Sequence, residues 1–330
     1  LFIKIRESID QFVEENDFEV MYTISGGSLA LHSSENIEYS KVMKLTDFSL
    51  NEAKKRGRNR CYIFDEKDYS RFIRKGEITQ ELREATRNGF QGFVAFYQPV
   101  IEAKSGRLSG AESLMRFSSS KFGMVSPVEF IPILEETGLI IPVGRWMMKE
   151  AMEKCSQIRK VIPGFKVNIN ISQVQVSKSD VIIDIADEME KAGLSPEAMN
   201  IELTESDLLE GDINTQHFLK ELKRMGIKLA LDDFGTGYSN FHYLSELDPE
   251  IIKIDRSFTS SAVADEKEYY LLKQFCRMIH NLGLKICIEG VENQEEWAKI
   301  QKLEPDFGQG FFWGRPCGYD EFVRQFIEKK

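Results

Sequence analysis

Two adjacent carboxylates, Asp232 and Asp233, end an apolar run over residues 227–231 and precede a Gly-x-Gly loop. Successive side chains of a strand point to opposite faces, so neighbouring acids converge only where the strand ends and the backbone turns. Adjacent carboxylates repel each other unless a cation lies between them, and a divalent metal ion is the usual partner. A surface turn with solvated aspartates is the alternative. The apolar run before the pair and the glycines after it favour a metal site.

Polar residues also end most of the other short apolar runs of the chain. They include carboxylates, amides, one lysine and one arginine, and no histidine: Gln98, Glu112, Arg116, Asn170, Glu202, Glu205, Lys253, Asp255, Glu289, Glu292 and Gln309. Each residue alone has an ordinary explanation as a helix cap, an ion-pair partner or a solvated rim residue. Their joint position at the ends of successive runs favours a single site.

The residue types of this set indicate phosphodiester chemistry. Hard oxygen donors select Mg²⁺ or Mn²⁺ rather than zinc. Several carboxylates can hold two such ions about 3.5–4 Å apart, which stabilises both the attacking and the leaving oxygen of a phosphodiester displacement. Because Arg116 suits a phosphate and Gln98 suits a base edge, we expect a nucleotide phosphodiesterase.

The elements that position these residues recur as β-then-α units. Eight apolar runs, most of them separated by helical periods, predict the strands: residues 93–97, 108–115, 167–171, 201–203, 227–231, 251–254, 286–288 and the weaker 306–310. Eight such units predict an α/β protein with a closed (β/α)8 barrel of the TIM type. A doubly wound open sheet is the alternative, but it places its site at one switch point rather than at nearly every strand end.

A smaller α/β segment precedes the barrel, so we predict a segment over residues 1–75, a connector over 76–92 and the barrel over 93–330. Helical spacing and breaker residues predict a connecting helix over 78–88 that Gly89 ends. The other predicted elements are a helix over 1–13, a strand over 18–25, a helix over 39–55 and a strand over 61–64.

Composition excludes several classes of function. The chain has 330 residues and a formal charge of −10, which argues against binding of nucleic-acid polymers but not of a small anion beside a metal. Five scattered cysteines predict reduced thiols in a cytoplasmic protein, and four dispersed histidines argue against a His/Cys zinc site. No apolar run reaches the ~18 residues of a membrane span. Since the first residue is Leu1, we expect a fragment, with an upstream sensor or membrane region possible.

From Phe93 onward the chain resembles EAL domains, a family of cyclic-di-GMP-specific phosphodiesterases. The resemblance implies a barrel with one antiparallel strand, hydrolysis of cyclic-di-GMP to linear pGpG, and a homodimer. The matching motifs are Tyr97-Gln98-Pro99, Glu112-Ser113-Leu114 with Arg116, Asn170-Ile171-Ser172, Glu202-Leu203-Thr204-Glu205, Asp232-Asp233-Phe234-Gly235-Thr236-Gly237-Tyr238-Ser239, Lys253-Ile254-Asp255, Glu289-Gly290-Val291-Glu292 and Gln309-Gly310.

The resemblance also implies a role for each matched residue. Asp233, Lys253 and Glu289 would carry the catalytic step, with Lys253 orienting the attacking water and Glu289 serving as general base or completing the metal site. Glu205 would anchor the loop over 233–239 that connects dimerisation to metal binding. The implied ligands of two ions, Mg²⁺ or Mn²⁺, are Glu112, Asn170, Glu202, Asp232, Asp233 and Glu289. The implied substrate contacts are Gln98, Leu114, Arg116, Asp255, Glu292 and Gln309.

The chain departs from the family pattern at a few positions. Ser113 replaces the alanine of the motif that names the family, Phe117 stands where tryptophan is common, and Phe311 stands where tyrosine is frequent. We expect a small effect of Ser113 and a mild effect of the two aromatic changes on substrate affinity. Because the acids and the loop are intact, we favour an enzyme over a catalytically silent cyclic-di-GMP receptor or another barrel hydrolase.

The N-terminal segment resembles the C-terminal end of a GGDEF (diguanylate cyclase) domain. The resemblance rests on Ser25-Gly26 and on the helix end over residues 51–60, which reads Asn-Glu-Ala-Lys-Lys-Arg-Gly-Arg-Asn-Arg. The signature hairpin of that family is absent from this chain, so the resemblance implies no cyclase activity.

Overall fold

The computed structural model describes residues 1–31, 37–205, 213–235, 247 and 249–328. By its internal contacts the chain divides into two units, Leu1–Ile78 and Thr79–Lys330. No helix in the described part of the chain combines the length and the apolar character needed to cross a membrane.

The first unit contains a two-stranded parallel sheet in which Gly26 lies opposite Cys61. A Cβ on Gly27 would lie 2.3 Å from the backbone nitrogen of Leu50, so only glycine allows the second helix to pack this closely. The elements are α1 (Phe2–Glu15), β1 (Gly26–Ser28), α2 (Tyr39–Lys55), β2 (Cys61–Ile63) and α3 (Glu66–Arg87), the last of which continues into the second unit.

One prediction for this region is wrong, and a second gives a helix that is too short at its start. The predicted strand over residues 18–25 is absent, and β1 begins only at Gly26. Phe18, Val20 and Met21 are exposed, and the Phe18 ring packs beside Phe12 of α1 rather than in a sheet. The helix predicted over 78–88 is the second half of the longer α3, after which Gly89 adopts a φ of +71°.

The second unit is built around an eight-stranded closed barrel with the strand order β3-β11-β10-β9-β8-β7-β6-β4, in which β4 pairs again with β3. Strand β3 is antiparallel to both of its barrel neighbours, and the other neighbouring pairs are parallel, which confirms the predicted fold. The barrel strands are β3 (Phe93–Glu102), β4 (Leu108–Ser119), β6 (Lys166–Asn170), β7 (Met199–Thr204), β8 (Lys228–Phe234), β9 (Ile251–Ile254), β10 (Lys285–Ile288) and β11 (Phe307–Gln309). Two short strands pair at the margins, β5 (Gly123–Val125) with β4 and β12 (Cys317–Gly318) with β3.

Helices follow most of the strands. In the helix over Ile140–Arg159, a buried stripe is formed by Val143, Met147, Ala151 and Cys155, as their spacing predicts. The helices are α4 (Pro127–Thr137), α5 (Ile140–Arg159), α6 (Gln173–Lys178), α7 (Val181–Ala192), α8 (Ile213–Met225), α9 (Arg256–Ala264), α10 (Glu266–Asn281), α11 (Gln294–Ile300) and α12 (Tyr319–Phe326).

The inside of the barrel has an apolar lower layer. Its members are Val100, Ala230, Ile251 and Cys287, with Phe307 packed against them. Each lies two residues from a predicted site residue on its own strand, as Ile251 does from Lys253. Because side chains alternate along a strand, both residues of such a pair face inward, and the polar one lies a layer higher. The fold therefore gathers many of the predicted site residues into one polar layer, which we call the upper layer: Gln98, Glu112, Asn170, Glu202, Asp232, Lys253, Glu289 and Gln309, with Asp233 beside Asp232.

Candidate active site

Gln98 and Glu112 enter the upper layer from the middle of long strands rather than from strand ends. The first predicted run does not end at Gln98-Pro99, because β3 continues to Glu102. Gln98 pairs with Glu112 across the antiparallel β3–β4 ladder. Since β3 runs against the other strands, its C-terminal end points to the opposite mouth of the barrel, and the strand-end rule fails there.

Lys253 on β9 lies at the centre of the upper layer and is 1% exposed. Its Nζ lies 2.7 Å from Glu289 Oε1, 3.0 Å from Glu202 Oε2 and 3.1 Å from Asp232 Oδ1. Glu112 Oε2 is a fourth acceptor at 3.3 Å. Burial disfavours the ammonium group, but the surrounding carboxylates outweigh it and raise the pKa of Lys253 well above its ordinary value.

The carboxylates form two groups of three, in each of which one oxygen per residue lies within 4.8 Å of the others. Glu112, Glu202 and Asp232 form one group, and Asp232, Asp233 and Glu289 form the other. Asp232 belongs to both groups, so a cation held by either group would lie beside it. Five carboxylates thus share one lysine, and the arrangement carries excess negative charge.

Burial, together with the neighbouring negative charges, raises the pKa of several of these acids. Burial, with the charges of Asp232 and Glu112, raises the pKa of Glu289 to about 8, although Lys253 opposes the shift. Burial likewise raises the pKa of Glu202 well above its ordinary value. Partial burial and the charge of Asp232 raise the pKa of Asp233 to about 6. A site in which acids resist ionisation together is suited to a bound cation, which would favour their ionised forms.

Glu112 differs from its neighbours because it accepts more hydrogen bonds. Asn170 Nδ2 donates to its Oε1 at 2.8 Å, and Gln309 Nε2 donates to its Oε2 at 2.6 Å. Burial disfavours the charged form, but Lys253 and these two donors outweigh it and hold the pKa of Glu112 below its ordinary value. Gln309 also donates to Gln98 Oε1 at 3.1 Å, so the two predicted substrate residues are fixed to each other.

A cleft of about 190 Å³ opens beside Glu289 and brings several predicted residues together. Its lining residues are Gln98, Arg256, Glu289, Gly290, Glu292, Gln309, Gly310 and Phe311. Three residues that the resemblance assigns to substrate binding do not line this cleft as the structure describes it: Leu114, Arg116 and Asp255. The Arg116 guanidinium lies 5.6 Å from the Phe96 ring, and Asp255 caps α9 by accepting from the Ser257 N–H at 2.8 Å.

Glu205 lies where the predicted loop begins. Its Oε2 accepts from the Gly235 N–H at 2.8 Å, and Gly235 adopts a φ of +97°, which favours glycine. The rest of the predicted loop, Thr236-Gly237-Tyr238-Ser239, lies outside the described residues. The structure therefore places Glu205 beside Gly235 of the predicted loop, and the roles of Glu205 and of the loop stay predictions.

The family model described as EAL domain matches residues 79–316. The chain belongs to the EAL family. The match begins within α3 and ends just before β12, so it includes all eight strands of the barrel and every residue of the upper layer.

Curated relatives and a solved structure agree with this assignment. MucR of Pseudomonas aeruginosa, a bifunctional diguanylate cyclase/cyclic di-GMP phosphodiesterase, is 29% identical over 324 residues, 97% of this chain and 46% of MucR. PdeG of Escherichia coli, a probable cyclic di-GMP phosphodiesterase, is 33% identical over 264 residues, 78% of this chain and 51% of PdeG. The EAL enzyme Bd1971, with cAMP and cyclic-di-GMP bound, matches with a TM-score of 0.72 and 25% identity, over 88% of this chain and 76% of that chain. The chain spans about half or less of the length of the curated relatives it matches.

Three contacts in this EAL domain escaped the sequence analysis. Asn168 Nδ2 donates to Glu202 Oε1 at 2.7 Å, and Arg256 forms an ion pair with Glu292 at 2.7 Å. The Ser113 hydroxyl, at the position where the family has alanine, donates to the backbone oxygen of Asn168 at 2.8 Å. Asn168 was detectable, because it lies two residues before Asn170 and so faces the same side of β6.

Proposed function

We propose that this EAL domain is a metal-dependent phosphodiesterase that hydrolyses cyclic-di-GMP to linear pGpG. The observation that carries the proposal is the pair of carboxylate groups that share Asp232 around a buried lysine. The printed activities of MucR and PdeG support the same reaction and substrate.

The donor set fits divalent cations. It consists of carboxylate oxygens with one asparagine nearby, and burial together with mutual repulsion raises the pKa of Glu202 and of Glu289 above their ordinary values. We propose Glu112, Asn170, Glu202 and Asp232 as ligands of one Mg²⁺ or Mn²⁺ ion and Asp232, Asp233 and Glu289 as ligands of a second. The bound cations would supply Lewis-acid polarisation of the scissile phosphodiester and offset its developing negative charge.

The protein side chains supply orientation and proton transfer. Four carboxylates hold Lys253 at the centre of the upper layer, and we propose that it orients the attacking water and offsets the developing negative charge. Glu289 lines the cleft and has an elevated pKa, as a general base working near neutral pH requires. We propose that it accepts the proton of the attacking water at a carboxylate oxygen.

Substrate binding divides between two places. Gln98, Gln309 and Glu292 line the cleft beside Glu289, and we propose that they contact the nucleotide there. The other three residues, Leu114, Arg116 and Asp255, are not part of the described lining of that cleft. Arg116 follows Glu112 by four positions on β4, so we propose that it and Leu114 contact a more distant part of the dinucleotide, and that Asp255 supports the start of α9.

The N-terminal part of the chain carries a separate proposal. We propose that residues 1–75 derive from the end of a GGDEF domain and that 76–92 connect it to the barrel over 93–330. The similarity to MucR supports this, because it covers 97% of the chain and so extends well before residue 79. We further propose a homodimer in the cytoplasm, with Glu205 and the loop over 233–239 linking the dimer to the metal site; the five free thiols are consistent with a reducing compartment.

A turnover assay tests the function. The purified chain is incubated with cyclic-di-GMP in Mg²⁺, in Mn²⁺ and with chelator, and the products are separated by chromatography. We expect pGpG only with a divalent cation. Binding of cyclic-di-GMP in calorimetry without any product would instead support the silent receptor, and absence of both would contradict the proposed substrate.

A further inference from the structure

Two buried amides lie beneath Glu202 inside the barrel. Asn168 on β6 donates its Nδ2 to Glu202 Oε1 at 2.7 Å, and Asn200 on β7 donates its Nδ2 to Asn168 Oδ1 at 2.9 Å. Asn168 is 6% exposed and Asn200 is 3% exposed. The three side chains therefore form a chain of hydrogen bonds that ends on a carboxylate of the upper layer.

The strand register explains why these amides meet. Asn168 lies opposite Asn200 and Asn170 lies opposite Glu202 in the parallel β6–β7 ladder. Alternation places all four side chains on the inner face. The other members of the lower layer, such as Ala230 and Ile251, are apolar, so the two amides are the polar exception among the lower-layer residues named above. Buried polar groups are costly without partners, so this exception calls for a reason beyond filling space.

The hydrogen bonds fix the orientation of the Asn168 amide. Asn200 donates to its oxygen and its nitrogen faces Glu202. When Glu202 is ionised, as a cation ligand is, the flipped amide would place an oxygen against a carboxylate and a nitrogen against a nitrogen. The other oxygen of Glu202 accepts from Lys253 at 3.0 Å. Each oxygen of Glu202 thus has one protein donor, and the plane of the carboxylate is set from two sides.

The hydrogen bonds between the two amides do not satisfy all of their polar atoms. Asn200 Oδ1 is buried and has no hydrogen-bond partner among the described residues. A chain that needed only to fill this layer would place an apolar residue at position 200, as it does at Ala230 on the next strand. The unpaired oxygen is tolerated because the opposite end of the same amide orients Asn168.

We propose that Asn168 is a positioning residue that sets the rotation of the Glu202 carboxylate for a divalent cation, and that Asn200 holds Asn168 in the required orientation. The proposal rests on the metal site of the proposed function and adds two residues that are not ligands themselves. Partners of this kind typically change metal affinity 10–100-fold when they are lost.

The test is a calorimetric titration of chelator-treated protein with Mn²⁺. Asn168→Leu keeps the approximate shape of the side chain and removes its donor, and we expect affinity to fall about tenfold. Asn200→Leu acts only through Asn168, so we expect a fall of about threefold and no additional loss in the double variant. Ser113→Ala is the matched control, because it breaks a hydrogen bond to the backbone of Asn168 and leaves its amide group intact; its affinity should stay within about twofold.

Melting curves of the metal-free variants separate positioning from folding. If Asn168→Leu does not fold, Asn168→Ser, whose short side chain does not reach Glu202, takes its place. Folded variants that bind Mn²⁺ as tightly as the wild type would show that the amides only fill space, and additive losses in the double variant would overturn the role of Asn200. A wild type that binds Mn²⁺ without hydrolysing cyclic-di-GMP would refute the proposed function alone, whereas a wild type that binds no Mn²⁺ would refute both.

Discussion

The same barrel strands build the upper and lower layers of the interior. On each strand, the inward-facing residues of the two layers are two positions apart. The lower layer contains Ile251 and Cys287, and the upper layer contains Lys253 and Glu289 on the same two strands. The apolar members of the lower layer are satisfied by packing, whereas the upper layer holds more carboxylates than its one lysine can compensate. Two residues along a strand therefore separate a part of the core that stabilises the fold from a part that is incomplete without a ligand.

Substitution of Asp232 should have the largest effect on the upper layer, because Asp232 belongs to both carboxylate groups. We expect Asp232→Asn to lower turnover of cyclic-di-GMP by at least about 10³-fold, since a bridging ligand is lost from the site. We expect the metal-free melting temperature to stay the same or rise, since a repelling charge is removed. Initial rates of pGpG formation and melting curves measure the two effects.

Asp184→Asn is the matched control for this substitution. Asp184 is a helix carboxylate that lies 3.0 Å from Arg145, away from the barrel interior. We expect its turnover to stay within about twofold of the wild type. Near-normal turnover in Asp232→Asn would refute the assignment of Asp232 as a ligand.

Ile251 makes the converse test in the lower layer, where it is 5% exposed. We expect Ile251→Ala to lower the free energy of unfolding by about 2–5 kcal/mol, because it leaves a cavity in the packed layer. Turnover per folded molecule should change far less than in Asp232→Asn. Urea denaturation followed by circular dichroism, with rates measured well below the melting temperature, gives both values.

Ile183→Ala is the matched control, because Ile183 is 57% exposed on α7. Its unfolding free energy should change by about 0.5 kcal/mol or less. If Ile251→Ala instead lost activity without losing stability, the division of the interior into a stabilising layer and a ligand-binding layer would be wrong.

The sequence predicted the upper layer best where the strands obey the parallel rule. Asp232, Lys253 and Glu289 were found because each follows an apolar run, and in a parallel barrel those ends share one face. Gln98 broke the rule because β3 runs antiparallel, which hydrophobic periodicity cannot reveal. The antiparallel strand itself came from the family resemblance.

Other features escaped because they depend on contacts between strands. Asn168 had the right spacing from Asn170, but only the β6–β7 register shows that it meets Glu202. Arg256 belongs to the family motif that begins at Lys253, but its pairing with Glu292 depends on how the chain turns after β9. Residues 18–25 are apolar enough for a strand, yet they pair with no other strand in the described part of the chain.

The smallest expected difference between the layers lies in the pH dependence of stability, to which the acids of the upper layer contribute. The pKa of Glu289 is about 8 in the folded, metal-free protein against an ordinary value of 4.5. The folded state therefore binds more protons than the unfolded state between these values, so the stabilising contribution is complete below about pH 4.5 and is lost as the pH rises through about 8. We expect the metal-free melting temperature to fall by several degrees between pH 5 and pH 9.

Glu289→Gln should flatten this slope, because an amide does not titrate, while Glu202 leaves a residual dependence since its pKa is also raised. Glu153→Gln, an exposed carboxylate beside Lys149, is the control and should keep the wild-type slope. Saturating Mn²⁺ should reverse the slope, because the cation binds the ionised carboxylates and its contribution grows as they lose protons. If the melting temperature of the metal-free wild type instead rose with pH, the acids of the upper layer would be ionised without a cation. Excess negative charge would then not explain how the upper layer differs from the lower layer.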